Sequence, residues 1–386
     1  MNKDFLLFHK PFISEDEVNE IVDTVRSGWL SMGPKTIRFE NEFNKYIGSR
    51  KSVAVSSWTA AGHLSLEAFG IKAGDEVIVP TMTFPATAEI VCYFGAKPVI
   101  VDVAVDTLNI SLKEIEKAIT PKTKAIIPVH YGGQPCDMDE IQELANHHNL
   151  KVLEDAAHSL PAIYKGKKVG TISDVTCFSF YATKTLSTGE GGMICTNNEE
   201  IAERTAIMRL HGINRDAWKR YSESGSWYYE VVAPGYKYNF TDLQASLGLP
   251  QLKKVDAMWE SRKRISKMYT EALKDLDTIQ LHSIKPDRES SWHLFPIRLN
   301  LDMLNKNRAQ IIDELRQKNI GVGVHFMPVH QHLFYSQTFN LNDGNFPVAS
   351  SVFPRLLSLP IYPGMNDDHV NRVINVLTDI LSKAKK

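Results

Sequence analysis

The lysine that closes an apolar run near the middle of this chain has more chemistry open to it than any other side chain. The run Val175–Phe180 leads into Phe178-Ser-Phe-Tyr-Ala-Thr-Lys184-Thr-Leu-Ser-Thr-Gly-Glu-Gly-Gly192, which puts Lys184 just past a strand end and ahead of a glycine-rich turn. An amine held there and partly desolvated loses basicity, becomes a nucleophile toward an aldehyde, and can afterwards carry protons. A lone lysine in such a place reads as a solvated loop residue. Its surroundings reverse that judgement.

A second run, Lys151-Val-Leu-Glu-Asp155-Ala-Ala-His158, delivers a carboxylate at its end. Pyridoxal phosphate acts as an electron sink only while its ring nitrogen stays protonated, and a buried aspartate opposite that nitrogen achieves this. His158 then falls against the ring or its phenolic oxygen. Taken alone, Asp155 is a helix N-cap and His158 a surface residue. A third segment, Ser56-Ser57-Trp58-Thr59-Ala60-Ala61-Gly62, follows the run Ser52–Val55 and opens a helix. Free backbone N–H groups and the helix dipole favour a phosphate there, with Thr59 adding a hydroxyl; simple N-capping is the competing reading. The fourth segment, Pro80-Thr-Met-Thr-Phe84-Pro-Ala-Thr87, follows Glu76–Val79. Phe84 is either a ring that stacks on a planar cofactor or an ordinary core residue.

All four segments sit where an apolar run ends, the edge at which parallel α/β sheets bind ligands. The runs are Ser52–Val55, Glu76–Val79, Pro98–Val103, Ala125–Val129, Lys151–Leu153, Val175–Phe180 and Gly192–Thr196. Several are continuous, as in strands covered on both faces. Helical patterns separate them at Thr59–Phe69, Thr87–Phe94, Leu112–Ile119 and Met138–His147. The expected architecture is α/β, a large domain on a mostly parallel seven-stranded sheet with helices on both sides. A helix is expected over residues 12–26, with Ser14 and acids in its first turn. A long one is expected from Asp242 to about Leu273, after the turn Pro234–Gly235. Beyond Ser291 the pattern changes to short strands (Trp292–Leu299, Val322–Phe326) and helices (Arg308–Lys318, Asp367–Lys383), a smaller α+β domain. The boundary is placed near residue 250, giving domains 1–250 and 251–386.

With 386 residues, 43% hydrophobic and 23% charged, the chain has the composition of a soluble globular protein. A net charge of -1 without long charged runs gives no support to nucleic-acid or membrane-surface binding. The first residues lack a secretory pattern, and no stretch approaches the roughly 20 apolar residues of a membrane span. Cys92, Cys136, Cys177 and Cys195 are scattered and read as buried thiols of a reducing compartment, which makes the cytoplasm the expected location. No metal is expected. His147-His148 lies on a polar helical face, and the histidines around His325–His332 lack acids at ligand spacing.

Together these segments resemble the DegT/DnrJ/EryC1/StrS family of sugar aminotransferases, fold-type I pyridoxal-phosphate enzymes. The resemblance runs from Ser27-Gly-Trp-Leu-Ser-Met-Gly-Pro34 to Leu359-Pro-Ile-Tyr-Pro363, and the phrase Phe178–Gly192 is specific to the family. Ala125-Ile-Ile-Pro-Val-His-Tyr131, Pro234-Gly-Tyr-Lys-Tyr-Asn239 and Gly323-Val-His-Phe326 are closest in style to members that aminate UDP-linked 4-keto sugars.

The resemblance implies pyridoxal phosphate as cofactor, glutamate as amino donor, a keto sugar nucleotide as acceptor and a homodimer with its sites at the subunit interface. It implies Lys184 as Schiff-base lysine and proton shuttle, Asp155 on the pyridine nitrogen, His158 near the ring and Phe84 stacked on it. Thr59, Ala60 and Ser179 would touch the phosphate. Lys237 or Asn239 would reach the neighbouring subunit's phosphate, with Lys237 standing where relatives have asparagine. His325, His330 and Tyr335 fall on the nucleotide-sugar side, or serve as packing in the small domain. The chain departs from the family at Trp58, where Gly or Ala is usual, and at Gly62, where a larger residue is usual. Two rival functions remain: a pyridoxal-dependent sugar dehydratase, whose members carry histidine in place of the lysine, and a non-catalytic cofactor-binding regulator, which would want an extra interaction module.

Overall fold

The computed structural model describes residues 5–214 and 228–386. Among the described residues nine strands precede the long central helix: β1 (Lys51–Val55), β2 (Glu76–Pro80), β3 (Lys97–Val101), β4 (Thr123–Ile126), β5 (Lys151–Asp155), the short hairpin β6 (Ile163–Tyr164) and β7 (Lys167–Lys168), β8 (Val175–Ser179) and β9 (Gly192–Thr196). Seven of them form one sheet in the order β1-β9-β8-β5-β4-β2-β3. Every pairing is parallel except those of β9, which runs antiparallel to both β8 and β1. Strands β2, β8 and β9 are buried along their whole length, as continuous apolar runs between two helical layers must be.

Of the helices α1 (Glu15–Ser27), α2 (Pro34–Ile47), α3 (Trp58–Ala68), α4 (Ala86–Cys92), α5 (Leu112–Ala118), α6 (Met138–His147), α7 (Glu199–Met208) and α8 (Asp242–Leu273), all but α2 and α7, which the sequence reading did not include, lie close to their expected bounds. Local chemistry sets several ends. Ser14 and Glu17 form a capping box at α1, and Thr241 and Gln244 form another at α8.

The C-terminal region has β10 (Ile279–Leu281), β12 (Phe295–Leu299) and β13 (Leu356–Leu359) in a three-stranded antiparallel sheet, while β11 (Arg288–Glu289) pairs with β6. Helices α9 (Arg308–Gln317), α10 (Leu333–Thr338), α11 (Pro347–Val352) and α12 (Asp367–Ala384) complete it. The strand expected over Val322–Phe326 is reduced to one bridge between Gly323 and Ser358. Here the chain bends so closely that a Cβ on Gly323 would stand 2.7 Å from the His325 ring.

Residue 250 lies inside α8. The helix changes core along its length: Leu249, Leu252, Val255 and Met258 pack with Phe39, Phe180 and Phe240, whereas Ile265, Tyr269 and Leu273 pack with β12, β13 and α12. Leu6 also joins this second core, its backbone bonded to Asn319 and Gly321 at 2.9 and 2.8 Å. The start of the chain therefore packs with its C-terminal region.

Candidate active site

The C-terminal ends of β1, β2, β5 and β8 converge on a cavity of about 550 Å³, roofed by residues of the C-terminal region. Its walls bring together Thr59, Phe84, Asp155, His158, Ser179, Lys184 and His325.

Lys184 sits in the loop that turns β8 back into β9. That loop is tied internally: Phe180 N–H donates to Gly191 O at 2.8 Å, Thr188 N–H to Phe180 O at 2.9 Å and Lys184 N–H to Tyr181 O at 2.9 Å. The glycines are there for space. A Cβ on Gly191 would be 2.7 Å from the Phe240 ring, and one on Gly192 would be 2.4 Å from Ser57 O. Among the described residues, nothing hydrogen-bonds or ion-pairs with the Lys184 amine. Burial lowers its pKa from an ordinary 10.5 to about 8, opposed by the charge of Asp155.

Asp155 ends β5. Its Oδ2 accepts from the Thr87 hydroxyl at 2.9 Å and its Oδ1 from Ala157 N–H at 3.1 Å. Burial nevertheless raises its pKa to about 6, against the pull of these donors and of Lys184. Such a carboxylate is completed by a cation. Next to it in the chain, Glu154 is fully buried and accepts from His130 Nε2 at 2.9 Å, Ser173 Oγ at 2.6 Å and Thr176 Oγ1 at 3.0 Å. Cys136 N–H donates to His130 Nδ1, so the histidine proton belongs on Nε2, facing Glu154. This network anchors the strand end that carries Asp155.

His158 is buried, and its Nδ1 has no partner. Its ring stacks on Phe326 (centroids 5.7 Å, 22°) and tilts against His293 (4.4 Å, 34°). Burial pushes its pKa well below the ordinary value, so the ring is neutral.

At the other end of the cavity, α3 presents its N-terminus. Ser57 caps it by accepting from Ala60 N–H at 3.0 Å. That engages the Ala60 amide, whose side chain is buried, and leaves the amides of Trp58 and Thr59 and the Thr59 hydroxyl for an anion. The Ser179 hydroxyl accepts from Tyr181 N–H at 3.3 Å on the same side.

Trp58 and Gly62 explain each other. The indole N–H donates to Cys177 O at 3.1 Å, which turns the ring inward onto the sheet. There it covers Gly62, where a Cβ would come within 3.3 Å of the indole and 2.6 Å of Ile90. A large residue at 58 needs a small one a helical turn later.

Phe84 is 61% exposed and meets Phe326 edge-on at 6.2 Å, so it is a rim residue with a free face rather than core. His325 bonds Ser358 Oγ through Nδ1 at 3.0 Å and stacks on Phe8. His330 and Tyr335 are off the wall. His330 is buried between Thr81 Oγ1 at 2.7 Å and Asp343 Oδ1 at 3.1 Å, and Tyr335 donates to Pro85 O at 3.3 Å beside a shallower neighbouring pocket. Exposed Lys237 and buried Asn239 also lie off this chain's wall. They follow β1's end, where Ser56 N–H donates to Tyr238 O at 2.8 Å.

Sequence reasoning passed over Thr87, His9 and His293. Thr87 was legible as the third hydroxyl after β2, but His9 and His293 arrive from distant segments with no local signal.

The wall fits pyridoxal phosphate: an amine for its aldehyde, a buried carboxylate lacking a cation for its ring nitrogen, an unpartnered histidine beside the ring, and open helix amides for its phosphate. Among the described residues, no group of acids, histidines and cysteines could hold a metal ion.

The model of the DegT/DnrJ/EryC1/StrS aminotransferase family matches residues 11–378. The uncharacterized protein MJ1066 of Methanocaldococcus jannaschii is 53% identical over 383 residues, covering 99% of each chain. The spore coat polysaccharide biosynthesis protein SpsC of Bacillus subtilis is 46% identical over 381 residues, 98% of each. Among solved structures, Spr1654 from Streptococcus pneumoniae, described as a sugar aminotransferase, superposes in its PMP form with a TM-score of 0.91 at 35% identity, covering 98% of this chain and 99% of that one. Its PLP form gives the same TM-score at 34% identity.

Proposed function

This chain belongs to the DegT/DnrJ/EryC1/StrS aminotransferase family, and from that premise we propose that it moves an amino group from glutamate to the keto carbon of a nucleotide-linked sugar, a UDP-4-keto sugar in the simplest case. The family works with pyridoxal phosphate. The observation that carries the reading is the common wall of Lys184 and Asp155, an amine of lowered basicity and a buried carboxylate in one cavity.

When bound, the cofactor supplies an aldehyde and an electron-accepting ring. Asp155 holds the ring nitrogen's proton, and Thr87 and Ala157 hold Asp155. The open amides of α3, with Thr59 and Ser179, bind the phosphate. Phe84 and His158, both on the wall, would hold the ring between them. Lys184 Nζ takes up and returns the proton at the amine-bearing carbon in each half of the exchange. His325 lies where an acceptor sugar enters.

The relative named for spore coat polysaccharide biosynthesis supports a role in surface glycan synthesis. Exposed Val18, Val22, Val25 and Leu30 around α1 support a homodimer, in which Lys237 or Asn239 would serve the partner's site. Four free cysteines support the cytoplasm. Lys184 speaks against the dehydratase, and an amine of lowered basicity, unpaired among the described residues and on the same wall as Asp155, speaks against a regulator.

The test is a panel of keto sugar nucleotides offered with glutamate while 2-oxoglutarate is followed. Release that depends on one sugar supports the proposal. A holoenzyme that releases none with any sugar refutes it.

A further inference from the structure

Behind one wall of the cavity lies a guanidinium with no counter-charge. Arg262, on α8, is fully buried. Its Nη1 donates to the carbonyls of Trp292, His293 and Ile361 at 3.1, 3.3 and 2.8 Å, while Nε and Nη2 have no partner. No carboxylate pairs with it among the described residues. Burial lowers its pKa only to about 9, so the cation persists at neutral pH.

Two of the carbonyls it grips belong to wall residues, His293 and Ile361. His293 is 7% exposed, and its Nδ1 has no partner. His9, on the same wall, is neutral and donates its one ring proton to the Ala182 carbonyl, so its buried Nε2 offers a lone pair and no donor. Of the two acids in the wall, Asp155 is held by Thr87 and Ala157, and Glu190 is exposed. Buried donors without acceptors beside an uncompensated cation are unfavourable alone and complementary to an anion. The cofactor phosphate already has the α3 end, so this wall is a second anion subsite.

We propose that His293, backed by Arg262, binds the α-carboxylate of the amino donor and of the 2-oxo acid it becomes. The assignment rests on the aminotransferase reading above. Chemistry selects the carboxylate over the phosphates of a sugar nucleotide. The donor's amine-bearing carbon must meet the carbon that Lys184 serves, and the α-carboxylate is one bond away from it. The diphosphate of the acceptor is a whole sugar ring from the keto carbon. His293 lies within reach of the Lys184 charge, as befits a group one bond beyond the reacting carbon.

The experiment uses holoenzyme and the donor half-reaction alone, followed by the loss of yellow absorbance on mixing with glutamate or with its α-amide, isoglutamine. His293→Gln should raise the glutamate concentration for half-maximal rate by roughly 10- to 100-fold, the worth of a charge-assisted hydrogen bond. His9→Phe, a control that keeps the ring's bulk at a residue with no proton to offer, should leave that concentration within about threefold. Isoglutamine should be poor with wild type and no poorer with either variant. UDP binding by calorimetry should stay the same. Unchanged glutamate dependence in His293→Gln, an equal loss with isoglutamine, or a loss confined to UDP each overturns the assignment. If no α-amino acid bleaches wild-type holoenzyme, the aminotransferase reading falls first and takes this one with it.

Discussion

The Thr87 hydroxyl donates to the Asp155 carboxylate across 2.9 Å, joining the first turn of α4 to the end of β5. Thr83 Oγ1 lies 2.8 Å behind it and completes the chain of hydroxyls. With its one hydrogen committed to Asp155, Thr87 must accept from Thr83, so the relay points toward the carboxylate.

Thr87→Val removes that donor while keeping the shape. Asp155 should then hold its proton to higher pH, and the ring nitrogen should lose part of its counter-ion. A hydrogen bond to a charged group is worth about 1.5–3 kcal/mol. Cofactor affinity, titrated by absorbance, should fall by roughly tenfold or more. An unchanged dissociation constant would contradict the relay.

Lys184→Met should abolish turnover and leave the fold intact. It should also alter stability in a pH-dependent way. The folded lysine releases its proton near pH 8 and the unfolded one near 10.5. Between those values the unfolded chain binds more protons, so wild-type stability rises with pH across that window. The variant should therefore be the more stable apoprotein at pH 7, with an advantage that shrinks toward pH 10.5. Urea midpoints at both pH values check the sign.

Gly62→Leu should cost about 1–3 kcal/mol by overpacking against the indole and Ile90. Trp58→Ala should cost about 3–5 kcal/mol through the cavity it leaves. The double variant should cost clearly less than the sum, because the new leucine enters the space the indole vacates. Additive losses in urea unfolding would mean that the two sites are independent.

Breaking the buried pair by Glu154→Ala leaves His130 without its acceptor, and strands Ser173 and Thr176 as donors. About 3–5 kcal/mol of stability should be lost. The wild-type contribution is present above the ordinary glutamate pKa of 4.5 and is lost as pH falls through the lower folded value. The gap between wild type and variant in thermal melts should therefore close under acid.

His330→Phe keeps the ring's stack on Phe346, whose centroid lies 4.2 Å away, and removes its bonds to Thr81, Asp343 and Ser350. Stability should drop while the KM for the sugar nucleotide stays within a factor of about two, given the residue's distance from the wall. A KM that rises far more, with stability unchanged, would make His330 a substrate contact.

The large sheet was legible because each of its strands is a short, nearly continuous apolar run with a turn signal at its end, and that pattern has few other solutions. Lys184 and Asp155 could be read for the same reason: each follows such a run within four residues. The cradle's Trp58 could be seen as odd but not explained, since its partner carbonyl on Cys177 is 119 residues away in the chain. The Val322–Phe326 strand was misread because alternation cannot report that Gly323 bends the chain against His325. His9 and His293 were invisible for a plainer reason. Each comes from a segment far from the strand ends in the chain, and the His293 loop is held by Arg262 from inside a helix that looks merely amphipathic.

The long helix α8 passes from one core into the other without interruption, and the cavity takes its wall from the strand ends of the large sheet and from the C-terminal region. Such a rod makes the two halves mechanically one lever, and a ligand gripping both sides acts as a clasp on it. Adding the cofactor should thus do more than raise the melting temperature: it should sharpen the transition, merging any separate loosening of the C-terminal region into a single event.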